Sequence, residues 1–325
     1  MGYMNEADEI RQENEVSFFI NKPFSIFNTF SIDLQQFNAW NFNSTYLGSG
    51  AHLSFSSQFR NNYGFRTNLI YHSQGIDTRK LRGGPDMLMP HTITTFGSLS
   101  TDDSKNLFFG LSYNYERYGN NSGRNFQLQP RITIRPFSML KISVNASYSK
   151  NNDKLQYVTS ITDFNSEQQF FLGTIDQKTL GLTFRADLNI TPELAVQFYG
   201  SPFISRGSYS EFKRITSPEN KEFDQRFTML STIPVDQYLI VLYEPGIPLS
   251  DYLIRNPDFN FHEFRSNLVA RWEFRPGSFI YLVWSSDRKG SNIFSDASLG
   301  DSYRMLGDAF SNNIFMIKVN YWFSL

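Results

Sequence analysis

The chain contains no cysteine. A disulfide framework, a thiolate metal site and a cysteine nucleophile are therefore excluded, and the absence fits a chain that crosses an oxidising compartment unaided. No run approaches the ~18–20 consecutive apolar residues of a transmembrane helix. An excess of either charge is also missing: 30 Lys and Arg against 31 Asp and Glu leave a net charge of -1, so no overall basic field recruits nucleic acid. Histidine is scarce, and His52, His72, His91 and His262 lack the spacing of a metal site. With no Gly-x-Ser-x-Gly elbow and no glycine-rich phosphate loop, the residues point to no cofactor. The opening Met1-Gly-Tyr-Met-Asn-Glu-Ala carries neither the basic nor the apolar region of a secretion signal. An exported protein needs one, so a longer precursor is expected.

What the chain does have is aromatic residues, 17% of the total with Phe 33 and Tyr 17, at a mean hydropathy of -0.39. Rings in quantity on a polar average are expected when half of every strand faces lipid and the other half water. The alternation is plainest between Met139 and Ile190. Leu140, Ile142, Val144, Ala146 and Tyr148 alternate with polar residues, as do Leu180, Leu182, Phe184, Ala186, Leu188 and Ile190. Both runs are strands with one greasy and one wet face, at the ~9–11 residues that a tilted strand needs to cross a bilayer and beyond the ~5–6 of a soluble sandwich. Similar runs recur along the chain, and the first is expected over Glu15–Ile20.

The connections sort by length. Asn21–Phe24, Asn61–Gly64, Arg135–Ser138, Thr191–Glu193 and Arg275–Gly277 are short, whereas the segments at about 75–90, 151–176, 213–256 and 288–310 are long, with Leu155–Thr159 and Phe170–Thr174 extending a protruding hairpin. Short turns on one side and long loops on the other mark a membrane barrel; a Greek-key sandwich has no reason to sort them so. The expected fold is an all-β, antiparallel transmembrane barrel occupying residues 1–325, with about 13–14 strands visible, as the C-terminal part of a larger barrel. In the last strand Ile317, Val319, Tyr321, Phe323 and Leu325 share one face up to the terminal residue. That pattern resembles the signal read by the outer-membrane barrel-assembly machinery. Counting directions back from there, the first strand runs the same way as the last.

Arg131, Arg135, Lys141, Arg185, Asp187, Arg265, Arg271, Glu273 and Arg275 fall on the wet side of their strands. A charge on the lipid face costs ~2–4 kcal/mol at the midplane, so all nine are expected to line the lumen. They either select solutes in a charged pore or fill the barrel with ion pairs. The long loops, rich in Tyr, Asn and Arg, either grip a glycan or a partner protein or form disordered caps.

Several motifs strung in order resemble one known family. They are Asp176-Gln-Lys-Thr-Leu-Gly-Leu-Thr-Phe-Arg185, Thr191-Pro-Glu-Leu194 leading to Gln197-Phe-Tyr-Gly-Ser-Pro-Phe203, Asn256-Pro-Asp-Phe-Asn-Phe261, Arg271-Trp-Glu-Phe-Arg-Pro-Gly-Ser278 with Tyr281-Leu-Val-Trp284, and Tyr321-Trp-Phe323. The family comprises large Bacteroidota outer-membrane proteins whose C-terminal barrel has no assigned function and is preceded by a carbohydrate-binding family 9-like domain. The chain differs in lacking that module and in carrying Ser324-Leu325 beyond the usual aromatic end. The resemblance implies a place in the outer membrane of a Gram-negative cell and a link to glycans. The leading expectation is a non-enzymatic component for glycan or solute capture or passage, or for complex assembly. Its expected partners are outer-membrane lipid and lipopolysaccharide, the assembly machinery, and glycans or other outer-membrane proteins. The rival is an outer-membrane hydrolase with its site at the outer rim.

Overall fold

The computed structural model describes residues 8–246, 251–292 and 298–323. It is all-β and antiparallel. Thirteen strands pair in chain order: β1 (Ile10–Ile20), β2 (Phe27–Trp40), β3 (Tyr46–Phe59), β4 (Gly64–His72), β5 (Thr92–Ser100), β6 (Leu107–Tyr118), β7 (Gly123–Phe137), β8 (Leu140–Thr162), β9 (Gln168–Asn189), β10 (Leu194–Ile215), β11 (Phe259–Arg275), β12 (Ser278–Asn292) and β13 (Ser311–Asn320). A fourteenth, Phe227–Met229, adds to the far end of β10. Because every neighbouring pair is antiparallel, β1 and β13, at opposite ends of the order, run in the same direction. Among the described residues, no helix is long and apolar enough to cross a membrane.

Register converts the alternation of single strands into two continuous faces, since side chains on paired residues point to the same side. Val16, Leu34, Leu53 and Leu69 form one cross-strand row. Phe109, Ile132, Val144 and Phe184 form a second, and Phe198, Leu268, Trp284 and Phe315 a third. These side chains lie open to the surroundings, with Leu34 at 53%, Leu69 at 49% and Ile132 at 43% exposure in mid-sheet. An apolar face of this extent is far beyond what a soluble monomer leaves uncovered. The opposite face is polar and tied across strands: Ser31 to Ser56 at 2.9 Å, His52 to Asn68 at 3.0 Å and Thr179 to Ser205 at 2.9 Å. One cavity of about 770 Å³ takes Gln58, Gly64, Ser100, Phe108, Arg131 and Lys141 from six strands, so the sheet curls toward its polar face.

One end holds only short connections, whereas the other mixes long segments with the short turns 41–45, 119–122 and 163–167. Residues 21–26, 60–63, 101–106, 138–139, 190–193 and 276–277 turn tightly at one end, while the segments 73–91 and 216–258 lie at the other. The structure corrects the picture of loose caps. Strands β8, β9 and β10 are 23, 22 and 22 residues long, about twice a bilayer crossing, so the segment at 151–176 is mostly strand. Between β10 and β11, the strands Ser231–Pro234, Leu239–Tyr243 and Tyr252–Arg255 form a small sheet, and Gly75–Asp77 pairs with Met87–Met89. Helix α1 (Leu299–Asp308) precedes β13, its first turn closed by a reciprocal Ser298–Asp301 capping box. Residues 247–250 and 293–297 of the expected loops lie outside the described residues.

Two further boundaries differ. The first strand begins at Ile10 rather than Glu15, because a polar ladder continues the pairing: Asn14 donates to Gln36 at 3.1 Å and Asn38 to Gln12 at 2.8 Å. The last strand ends at Asn320, where its partner β12 begins to turn, so Tyr321–Phe323 follow outside the strand, and Leu325 lies outside the described residues.

Candidate functional site

At the short-turn end of the polar face, three adjacent strands bring the first group of expected lumen residues together. Lys141 pairs with Asp187, Ser143 with Arg185 and Asn145 with Arg131. Arg131, Arg135 and Lys141 line the 770 Å³ cavity with Asp102 and Asp103 of the turn, and Arg135 and Lys141 also line a neighbouring cavity of about 610 Å³ with Asp187. Three of the cations are already engaged, Arg131 by the Phe108 ring at 5.6 Å. Arg135 donates to the Asp103 and Lys105 carbonyls at 2.8 and 2.9 Å, and the Arg185 guanidinium lies 5.1 Å above the Tyr199 ring. Asp102 is saturated by Asn62, the Ser104 hydroxyl and the Ser104 amide, which hold its carboxyl below the usual range. Thr133, 2% exposed between Arg131 and Arg135, lines the same cavity with no partner for its hydroxyl. A buried hydroxyl without a partner is costly, and sequence alternation alone gives no sign of it.

The other four expected residues stand apart on β11. Arg265 forms an ion pair with Glu263 at 2.7 Å, Arg271 covers the Phe279 ring at 5.7 Å, Glu273 accepts from the Gly277 amide at 2.8 Å, and Arg275 donates to the Tyr321 hydroxyl at 2.5 Å. The nine residues therefore make two groups rather than one ring. Eight of them lie on the polar side by register; Arg275, past an irregularity that follows Glu273, pairs instead with Ser278, two residues from Ile280 of the apolar face.

The long-loop end holds what the sequence does not reveal. Strands β8–β10 continue past the apolar rows and are covered on both sides. On one side Leu81 and Met87 of the 73–91 segment pack with Leu155, Phe170, Leu172 and Ile215; on the other, the small sheet packs Ile240, Leu242 and Ile254 against Phe171 and Phe212. Of the paired glycines, Gly83 takes φ +97°, whereas Gly84 is needed for room: a Cβ there would lie 2.5 Å from the Phe170 ring. Arg226 is wholly buried and donates to the carbonyls of Asn220 (2.7 Å), Leu88 (2.7 Å) and Lys221 (3.2 Å), joining the two long segments. Beneath the 73–91 segment a cavity of about 650 Å³ is lined by Arg11, Phe37, His72, Asp77, Glu116 and Tyr118 among others. There Arg11 covers Phe37 at 4.0 Å, Phe37 packs edge-on to His72, and Tyr118 donates to Glu116 at 2.7 Å. Rings beside hydrogen-bonding and charged groups suit a polar, hydroxylated solute.

Lys213, 3% exposed, donates to the Lys154 carbonyl at 2.6 Å and to Thr174, whose hydroxyl donates to Glu211 at 2.7 Å. Burial pushes its ammonium down to about 8 from 10.5, against the opposing pull of Glu211. A pKa lowered by folding means that the unfolded segment holds its proton to higher pH, so stability rises as pH climbs from about 8 to 10.5. Resistance of the 154–176 and 209–230 segments to limited proteolysis is expected to increase over that window. In Lys213→Met the increase should vanish; an unchanged pH profile would exclude Lys213 as its source.

A family profile described as a domain of unknown function, DUF5916, matches residues 1–324. The chain belongs to the DUF5916 family. The match runs through the whole wall, both charged groups and the cap, so these features are parts of one family unit. No curated protein and no solved structure matches the chain.

Proposed function

We propose that the chain forms the wall of an outer-membrane β-barrel whose ordered cap captures a polar solute or glycan and whose polar face passes it or presents it to an outer-membrane complex. The observation that carries this reading is the apolar face running without interruption across thirteen strands, opposite a polar face that bears the cavities. In water such a face costs roughly 25 cal/mol per Å² of apolar surface, whereas in a bilayer it is matched to its surroundings, and the backbone groups of every interior strand are satisfied by neighbours. The short-turn end would face the periplasm and the cap the outside. The resemblance set out above adds a Bacteroidota envelope and an accompanying carbohydrate-binding family 9-like module.

The test is location and assembly. The full-length gene product should partition with outer-membrane markers and migrate as a heat-modifiable species; recovery in a soluble fraction would refute the reading. Ile317, Val319, Tyr321 and Phe323 are 53–72% exposed along one edge, which suits recognition by the assembly machinery before closure. Tyr321→Ala with Phe323→Ala should lower the yield of assembled protein several-fold while leaving the denaturation midpoint of what does assemble nearly unchanged. Equal yields would remove the signal role.

A further inference from the structure

On the apolar face, just beyond its aromatic border at the cap end, register sets cations beside one another on five consecutive strands. Arg117 of β6 pairs with Arg124 of β7, Lys150 of β8 with Lys178 of β9, and Lys178 with Arg206 of β10. Arg124 pairs with Asn152 and Phe126 with Lys150, which puts Arg124 diagonal to Lys150 and makes the row continuous. Like charges directly opposite on a sheet destabilise it, and here Arg117 faces Arg124 and Lys150 faces Lys178. Among the described residues, Arg117, Arg124, Lys150 and Lys178 form no ion pair with a carboxylate. The nearest acid on this face, Asp176, stands two residues outward of Lys178 in the row of Arg117 and Arg124, opposite Asn152 and Ser208, and one of its carboxylate oxygens is buried without a hydrogen-bond partner. Directly inward of the row stand Tyr115, Phe126, Tyr148, Leu180 and Ile204.

We infer that this row binds the phosphate groups of an anionic outer-leaflet lipid, whose acyl chains lie along the apolar rows beneath. The site rests on the membrane reading above, because only there does this face meet lipid. Each half of the ligand answers an otherwise unfavourable feature: phosphate relieves the cation repulsion through charge-assisted hydrogen bonds, which arginine gives in pairs, and acyl chains cover exposed Tyr115 and Phe126, at 39% and 37%. The row's position also fits. It lies where strands leave the apolar rows and enter the cap, the depth at which outer-leaflet headgroups sit when the cap faces outward. The polar-face cations Arg131 and Lys141 are on the other side of the wall and take no part.

The test uses the full chain folded in detergent and titrated with lipid A, which carries phosphates, and with its enzymatically dephosphorylated form. Native mass spectrometry or calorimetry reads the affinity. Parent protein should prefer the phosphorylated lipid, and the variant R117Q/R124Q/K150Q/K178Q should lose about tenfold or more of that affinity, the scale of one or two charged hydrogen bonds. Its affinity for the dephosphorylated lipid should stay at the parent's value. R131Q/K141Q should bind like the parent. Removing like-charge contacts should leave the quadruple variant at least as heat-resistant as the parent in the absence of lipid, so failure to fold would itself count against the inference. Equal lipid A affinity in parent and quadruple variant would overturn it, as would inorganic phosphate competing at the same concentration as lipid A, which would mark a free-anion site. Outer-membrane fractionation of the parent separates failure of this site from failure of the membrane reading.

Discussion

Arginine placed at Leu182 and Phe184 together is expected to abolish assembly, while arginine at the intervening Thr183 leaves it intact. The three positions are consecutive on β9, yet register puts Leu182 and Phe184 beside Ala146 and Val144 on the apolar rows and Thr183 beside Asn145 on the polar face. A cation at the bilayer midplane costs ~2–4 kcal/mol, so two cost about 4–8 kcal/mol, much of the ~5–15 kcal/mol by which a domain is stable. On the polar face the same side chain meets water and Asn145. The yield of heat-modifiable protein in the outer membrane measures the contrast. Single cysteines sharpen it: a membrane-impermeant thiol reagent should reach positions 183, 185 and 187 and spare 182, 184 and 186. Labelling with the opposite phase would overturn the proposed assignment of the two faces.

Replacing Arg226 by methionine is expected to release the cap and spare the wall. The guanidinium is fully buried and is held by three carbonyl oxygens and the Phe223 ring, 5.3 Å away. Methionine keeps much of the volume but removes three hydrogen bonds from a charged donor, worth roughly 1.5–3 kcal/mol each. Among the described residues, the Leu88 amide still donates to the Pro218 carbonyl at 3.0 Å, and Phe223 and Phe227 still pack on the cluster of Leu81 and Met87. Amide exchange should therefore accelerate by at least an order of magnitude in 79–90 and 216–229, and protease should cut there first. Exchange in β2–β4 and β11–β12 should not change. Protection of the two segments at parental levels would show that packing around Leu81 and Met87 alone holds them.

Alternation was readable because each wall strand is apolar at every second position, and a period of two survives any reasonable register. It fails in the cap for a definite reason. Bulges between Asp153 and Gln156, between Tyr157 and Thr159, and between Leu172 and Thr174 shift the phase, and the extensions are buried on both sides, so Phe170, Phe171 and Leu172 are all core and no wet face remains. Helix α1 falls in the 288–310 segment that the sequence presents as a loop: Ser298 and Asp301 stand at capping-box spacing, but few apolar residues mark a buried stripe. The charged positions followed from parity, which says which side a residue faces and nothing about its neighbour on the next strand. Hence the lone hydroxyl of Thr133 and the row from Arg117 to Arg206 emerge only once register is known.

The shared direction of β1 and β13 carries a consequence in symmetry. Membrane proteins assemble by rotation about the membrane normal, an operation that never exchanges up for down. Apply it to this sheet and every edge of every copy points the same way, so wherever β13 of one copy meets β1 of another the seam is parallel. A ring of strictly alternating strands has an even total, and thirteen becomes even only by adding an odd number. Copies of this sheet alone therefore cannot close with antiparallel seams throughout, whatever their number, and a fully alternating ring built on it must place strands of different sequence beside both edges.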